Sequence, residues 1–188
     1  MAIKIYIDQG HNPVNPNAGA EGNGLREQDV VYRIGQALAA LLRSDARFDA
    51  RLSRPSADTQ LGTSNASSLA ARVRDANAWG ADYFISLHTN ASENTAASGS
   101  EAFAFSRGSA AFVLGENILD WLSRITGLRN RGMSVRTNLY VLRRTAMPAV
   151  LVELGFITNP SDAALMNNSP ELFAEGIYNG ILAYLGLL

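Results

Sequence analysis

The sequence predicts a single α/β domain over residues 1–188, with a mostly parallel twisted sheet of about six strands and helices on both of its faces. Three observations predict it. Apolar strand patterns alternate with helical periodicity along the chain, the order that parallel strands joined by crossover helices require. Residues 149–154 are apolar at almost every position, as in a strand covered on both sides. Finally, 188 residues that are 47% hydrophobic can form one sizeable core, whereas two domains would be cramped.

The chain opens with IKIYIDQGHN, in which Ile3, Ile5 and Ile7 alternate with Lys4 and Tyr6 until Asp8 ends the pattern. This is a strand that delivers His11 to its carboxyl end. The Gly-, Pro- and Asn-rich stretch Gln9 to Arg26 is as long as functional loops are. Val30, Val31, Ile34, Leu38, Leu41 and Leu42 then recur at helical spacing, predicting a helix over 27–43 whose first turn carries Glu27 and Asp29. Residues 48–52 read as a short strand, and Ser53 to Ser67 as a connection without periodicity. A helix over 68–79 follows, with Leu69, Val73 and Ala76 inward, Ser67 or Ser68 as its cap and Gly80 past its end.

The segment DYFISLHTN repeats the opening device, because Tyr83, Phe84, Ile85 and Leu87 form an apolar run that hands over to His88. After a polar loop, Glu101 to Phe105 alternates as a strand. Residues 109–126 form an amphipathic helix with Phe112, Ile118, Leu119, Leu122 and Ile125 mostly on one face. Leu139 to Leu142 reads as a short strand before the apolar strand 149–154. Asn159-Pro160 and Ser169-Pro170 each pair a cap with proline at the first helical position, and the second pair starts a final helix over 170–185.

Composition narrows the chemistry. A net charge of −1, with no basic run, offers no footprint for nucleic acid or an anionic membrane surface. No apolar run approaches the ~18 residues of a membrane span, and the amino terminus enters a strand without the pattern of an export signal. The absence of cysteine excludes disulfide scaffolds, thiolate nucleophiles and Cys-ligated zinc, so a metal site must use His, Asp or Glu.

The chain has only two histidines, His11 and His88, and each stands at the carboxyl end of a predicted strand. Ligands of open α/β sheets bind outside those ends, so the two imidazoles can converge on a metal. Catalytic zinc takes three protein ligands and keeps a position open. The third ligand must be a carboxylate, with Asp8, Glu21, Glu27 and Asp29 as candidates that spacing does not separate. Glu27 is preferred because a helix start is rigid, although an acid in a first turn also complements the helix dipole. Glu153 interrupts an apolar strand, where an ionised carboxylate is costly unless a cation or hydrogen bonds compensate it. It belongs at the site, or else it pairs with Arg143 or Arg144.

Four separated motifs give the pattern a resemblance. IDQGHN, GNGLREQDV, the ARVRDAN helix leading into ISLHTNA, and MPAVLVELGFITNPSD occur in the order found in the zinc-dependent N-acetylmuramoyl-L-alanine amidases called amidase 3. The resemblance covers nearly the whole chain. It implies Zn²⁺ held by His11, Glu27 and His88, and Glu153 as the catalytic glutamate. It implies a peptidoglycan substrate and action on the cell wall, outside the cytoplasm, after release by lysis or as part of a larger exported protein. A monomer without nucleic-acid or membrane partners is expected. Where relatives often carry glycine after the first histidine, this chain has Asn12-Pro13, and its 106–109 connection has no room for an autoinhibitory helix, so an open site is expected. The alternatives are a zinc peptidase cutting within the stem peptide and a non-catalytic wall-binding module.

Overall fold

A computed structural model describes all residues from Met1 to Leu188. In chain order the elements are β1 (Ile3–Gln9), β2 (Glu21–Gly22), β3 (Leu25–Arg26), α1 (Glu27–Ser44), β4 (Phe48–Leu52), α2 (Asn65–Trp79) and β5 (Tyr83–Asn90). They continue as β6 (Ser100–Ala104), α3 (Ala110–Thr126), β7 (Asn130–Val135), α4 (Tyr140–Arg144), β8 (Ala149–Phe156), α5 (Pro160–Asn168) and α6 (Pro170–Leu185). Six strands form one sheet in the order β4-β1-β5-β8-β6-β7, and β2 and β3 form a separate two-stranded ribbon. β4, β1, β5 and β8 are mutually parallel, whereas β6 pairs antiparallel with β8 and carries β7 parallel to itself. The mostly parallel α/β sheet expected from the sequence is therefore present.

The strand period of two divides the apolar residues between two faces. Ile5, Ile7, Ile85, Leu87, Val150 and Val152 meet α1, α3 and α6 in a core of 27 buried residues. Tyr6, Phe84, Phe103, Ala149 and Leu151 face the other way, against Val73 and Ala76 of α2 and Val141 and Leu142 of α4. The first core is the larger because it includes the α3–α6 contact, where a Cβ on Gly180 would lie 2.5 Å from the Ile118 Cα. The second layer is thin, and beyond it on the same face, at the carboxyl ends of β1, β5 and β8, lies the polar site. No helix is long and apolar enough to cross a membrane.

Three expectations are corrected. The predicted strand at Leu139 to Leu142 is part of the short helix α4, because Val141 and Leu142 are buried from a single helical turn and so short an apolar run fits either period. The sixth strand is β7 instead, at the sheet edge, and its sequence NRGMSV is half-buried to exposed and lacks a strand's apolar signature. α2 begins earlier than expected: Ser64 is its cap, and Ser67 is the third helical residue that completes a capping box with it.

Candidate metal centre

Strand register sets the site out in a row. His88 of β5 pairs with Glu153 of β8, which pairs on its other side with Glu101 of β6, so the three side chains lie on one face of the sheet. His11 arrives from β1 through a turn in which its own backbone is left-handed, with φ +66°. That conformation is uncommon for a non-glycine residue and is held from outside. The buried Arg72 of α2 donates to the carbonyls of Gln9 and His11 and to Asp8 Oδ1, and Ser86 Oγ donates to Asp8 Oδ2. Burial alone would raise the Asp8 pKa, but the Arg72 guanidinium holds it below the usual carboxylate range.

Glu27 stands at the first position of α1 and joins the two imidazoles. Its Oε2 lies 3.2 Å from His11 Nε2, and its Oε1 lies 3.1 Å from His88 Nδ1. The amides of Ala20 and Thr89 each donate to one of these oxygens at 2.9 Å, which fixes the carboxylate between the rings. One donor atom from each of His11, Glu27 and His88 falls within 4.8 Å of the other two. This is the spacing that three ligands of one cation need, and the three could hold a metal ion. Burial opposes ionisation of Glu27, yet the hydrogen bonds with His11 and His88 hold its pKa well below the ordinary value. Burial opposes protonation of His88, yet the hydrogen bond with Glu27 and that carboxylate's charge raise its pKa. Glu27 is therefore held as an anion, and that anion favours a positive charge at His88, as it would favour a bound cation.

The other candidates for a third ligand are elsewhere. Asp8 is committed to Arg72 and Ser86, Asp29 pairs with Arg26 at 2.7 Å, and Glu21 is exposed in the β2–β3 ribbon. Glu153 pairs with neither Arg143 nor Arg144, which are exposed, and its Oε2 is buried with no hydrogen-bond partner. Burial pushes its pKa up to about 7, with His88 opposing and the carboxylates of Glu27 and Glu101 adding to the rise.

Several residues of the site do not stand out in the sequence. Arg72 sits on the inward face of α2, which its charge disguises; its place in the helix immediately before the His88 strand was the available signal. Glu101, Arg136 and Asn138 line a cleft of about 390 Å³ with His11, His88 and Glu153. Arg136 follows β7, a strand with no sequence signature, so nothing pointed to it.

Gly10 is required by close approach. A Cβ there would lie 2.5 Å from His88 Cε1 and 2.7 Å from both His88 Nε2 and the Leu87 carbonyl. Gly10→Ala should displace the His88 ring and weaken metal binding by roughly 10- to 100-fold, as lost ligand positioning does, in a chelator-competition titration.

Residues 5–183 match the family model described as N-acetylmuramoyl-L-alanine amidase. The chain belongs to this amidase family. CwlM of Bacillus licheniformis, named an N-acetylmuramoyl-L-alanine amidase, is 35% identical over 183 residues, covering 95% of this chain and 67% of its own. The endolysin of Bacillus phage SPP1 is 34% identical over 196 residues, covering 100% of this chain and 68% of the phage protein. Among solved structures, the CwlD amidase of Clostridioides difficile, in complex with the GerS lipoprotein, superposes with a TM-score of 0.90 at 26% identity, covering 99% of this chain and 100% of CwlD. The resemblance read from the four motifs is thus borne out, as is the hydrolase class that it implied.

Proposed function

We propose that this amidase holds one zinc ion through His11, Glu27 and His88 and hydrolyses the amide between the lactyl group of N-acetylmuramic acid and L-alanine of the peptidoglycan stem peptide. The observation that carries the reading is Glu153: a carboxylate with a buried, unpartnered oxygen, in register beside His88 and on the wall of the same cleft. A purely structural carboxylate so buried would have a partner.

The donor set fits zinc. Two imidazoles and one carboxylate are a known catalytic zinc set, and without cysteine no softer ligand competes. The Lewis acidity that zinc supplies when bound polarises a carbonyl oxygen and acidifies water. The chain's own groups do the rest. Glu27, fixed by the Ala20 and Thr89 amides, keeps both rings in position. Arg72 holds the strained turn that presents His11. Glu153, whose pKa near 7 suits proton transfer in both directions, takes a proton from the attacking water and returns one to the departing alanine amine. Its site of action is then the cell wall, outside the cytoplasm.

The same donors would serve a peptidase that cuts within the stem peptide, so the bond must be read from the products. In mass spectrometry of digested peptidoglycan, this proposal expects intact stem peptides with a free L-alanine amino group. Glycan that keeps alanine on its muramic acid would assign the chain to the peptidase reading instead.

A further inference from the structure

Arg136 is the only lysine or arginine lining the cleft that holds His11, His88 and Glu153. Its backbone is anchored where β7 ends, by its amide to the Ala104 carbonyl at 3.0 Å, and its guanidinium lies 5.0 Å from the centroid of the Phe103 ring on the cleft floor. The guanidinium makes no ion pair and no hydrogen bond, and Asn138, two residues on at the same rim, likewise has a free side chain. The carboxylates of Glu101 and Glu153 line the same cleft. An anionic substrate group entering between these acids is repelled unless a cation meets it, and a planar guanidinium resting on an aromatic face is preorganised to grip a carboxylate through two parallel hydrogen bonds.

We propose that Arg136 is a specificity-determining residue that binds a free carboxylate on the peptide side of the scissile bond. This rests on the amidase reading above, and the chemistry of that substrate identifies the carboxylate. Muramic acid's single carboxyl is consumed in the scissile amide, so a carboxylate recognised in this cleft must come from the peptide. The nearest is the α-carboxyl of the second residue, D-isoglutamate, which is joined onward through its side chain and is either free or amidated. Arg136 therefore makes the enzyme prefer the free acid over the amide, with Asn138 available as a further donor.

The test uses two matched muramyl tetrapeptides that differ only in whether that α-carboxyl is free or amidated, with kcat and KM measured separately. The wild-type protein should favour the acid by roughly tenfold in kcat/KM, the size of one charge-assisted contact, and mainly through KM. Arg136→Gln should erase the preference by weakening the acid substrate, and Arg136→Lys, which keeps charge but loses the fork, should restore part of it. Arg136 is exposed, so neither change leaves a buried group unpaired. Equal wild-type rates on the two substrates, or equal losses on both in Arg136→Gln, would overturn the inference while leaving the amidase reading intact. Cleavage of neither substrate by zinc-loaded wild-type protein would overturn both.

Discussion

Glu153→Gln should lower kcat/KM for muropeptides by about a thousandfold, the scale of general acid–base catalysis, while the purified protein still binds one zinc per chain. Glutamine keeps the shape of the side chain but cannot take up a proton from water. Glu153 lies outside the three-donor cluster, so metal content should not follow activity. The substitution also has a stability signature. The metal-free carboxyl titrates near 7 rather than at its ordinary 4.5 because burial penalises its charge. A raised carboxyl pKa means that the folded state binds the proton more tightly than the unfolded one. The contribution of Glu153 to metal-free stability should therefore fall as pH rises from about 4.5 to 7, by about 3 kcal/mol, and remain lost above that. Metal-free Glu153→Gln should lack this loss and melt higher than wild type at pH 8. A variant that is active, or whose melting follows pH as the wild type's does, would contradict the role.

Glu27→Ala should behave in the opposite way, losing zinc affinity by about 100-fold or more, beyond what loss of a supporting residue costs, and losing activity in parallel. This one side chain approaches His11 with one oxygen and His88 with the other, and accepts the amides of Ala20 and Thr89. Alanine would leave two amides without their acceptor in a nearly closed space, at about 1–3 kcal/mol each, so the metal-free protein should also melt lower. Zinc titration against a chelator and thermal melting check both effects. Unchanged zinc affinity would remove Glu27 from the ligand set.

How far the sequence could be read depended on where apolar pattern and chemistry coincide. The strands carrying His11, His88 and Glu153 are central and covered by helices, so hydrophobic runs marked them and the polar residues at their ends stood out. Glu27 was recognisable as the start of a helix, but nothing local excluded Glu21 or Asp8; the Arg72 pairing that occupies Asp8 is a long-range contact. β7 was invisible because an edge strand needs only one buried face, and Leu139 to Leu142 misled because three apolar residues fit a helical turn as well as a strand. Those two errors compensated in the strand count. They also hid Arg136, whose position depends on β7 leading the chain back to the cleft.

The account depends on His11, Glu27 and His88 sharing one ion beside Glu153, and a crystal of the zinc-loaded protein measured across the zinc absorption edge tests that most directly. It predicts a single anomalous peak about 2.0–2.2 Å from a nitrogen of each imidazole and an oxygen of Glu27, with the Glu153 carboxylate facing its open side. A peak ligated by Asp8 or Glu21, or a fully zinc-loaded crystal with no peak between the two imidazoles, would contradict it.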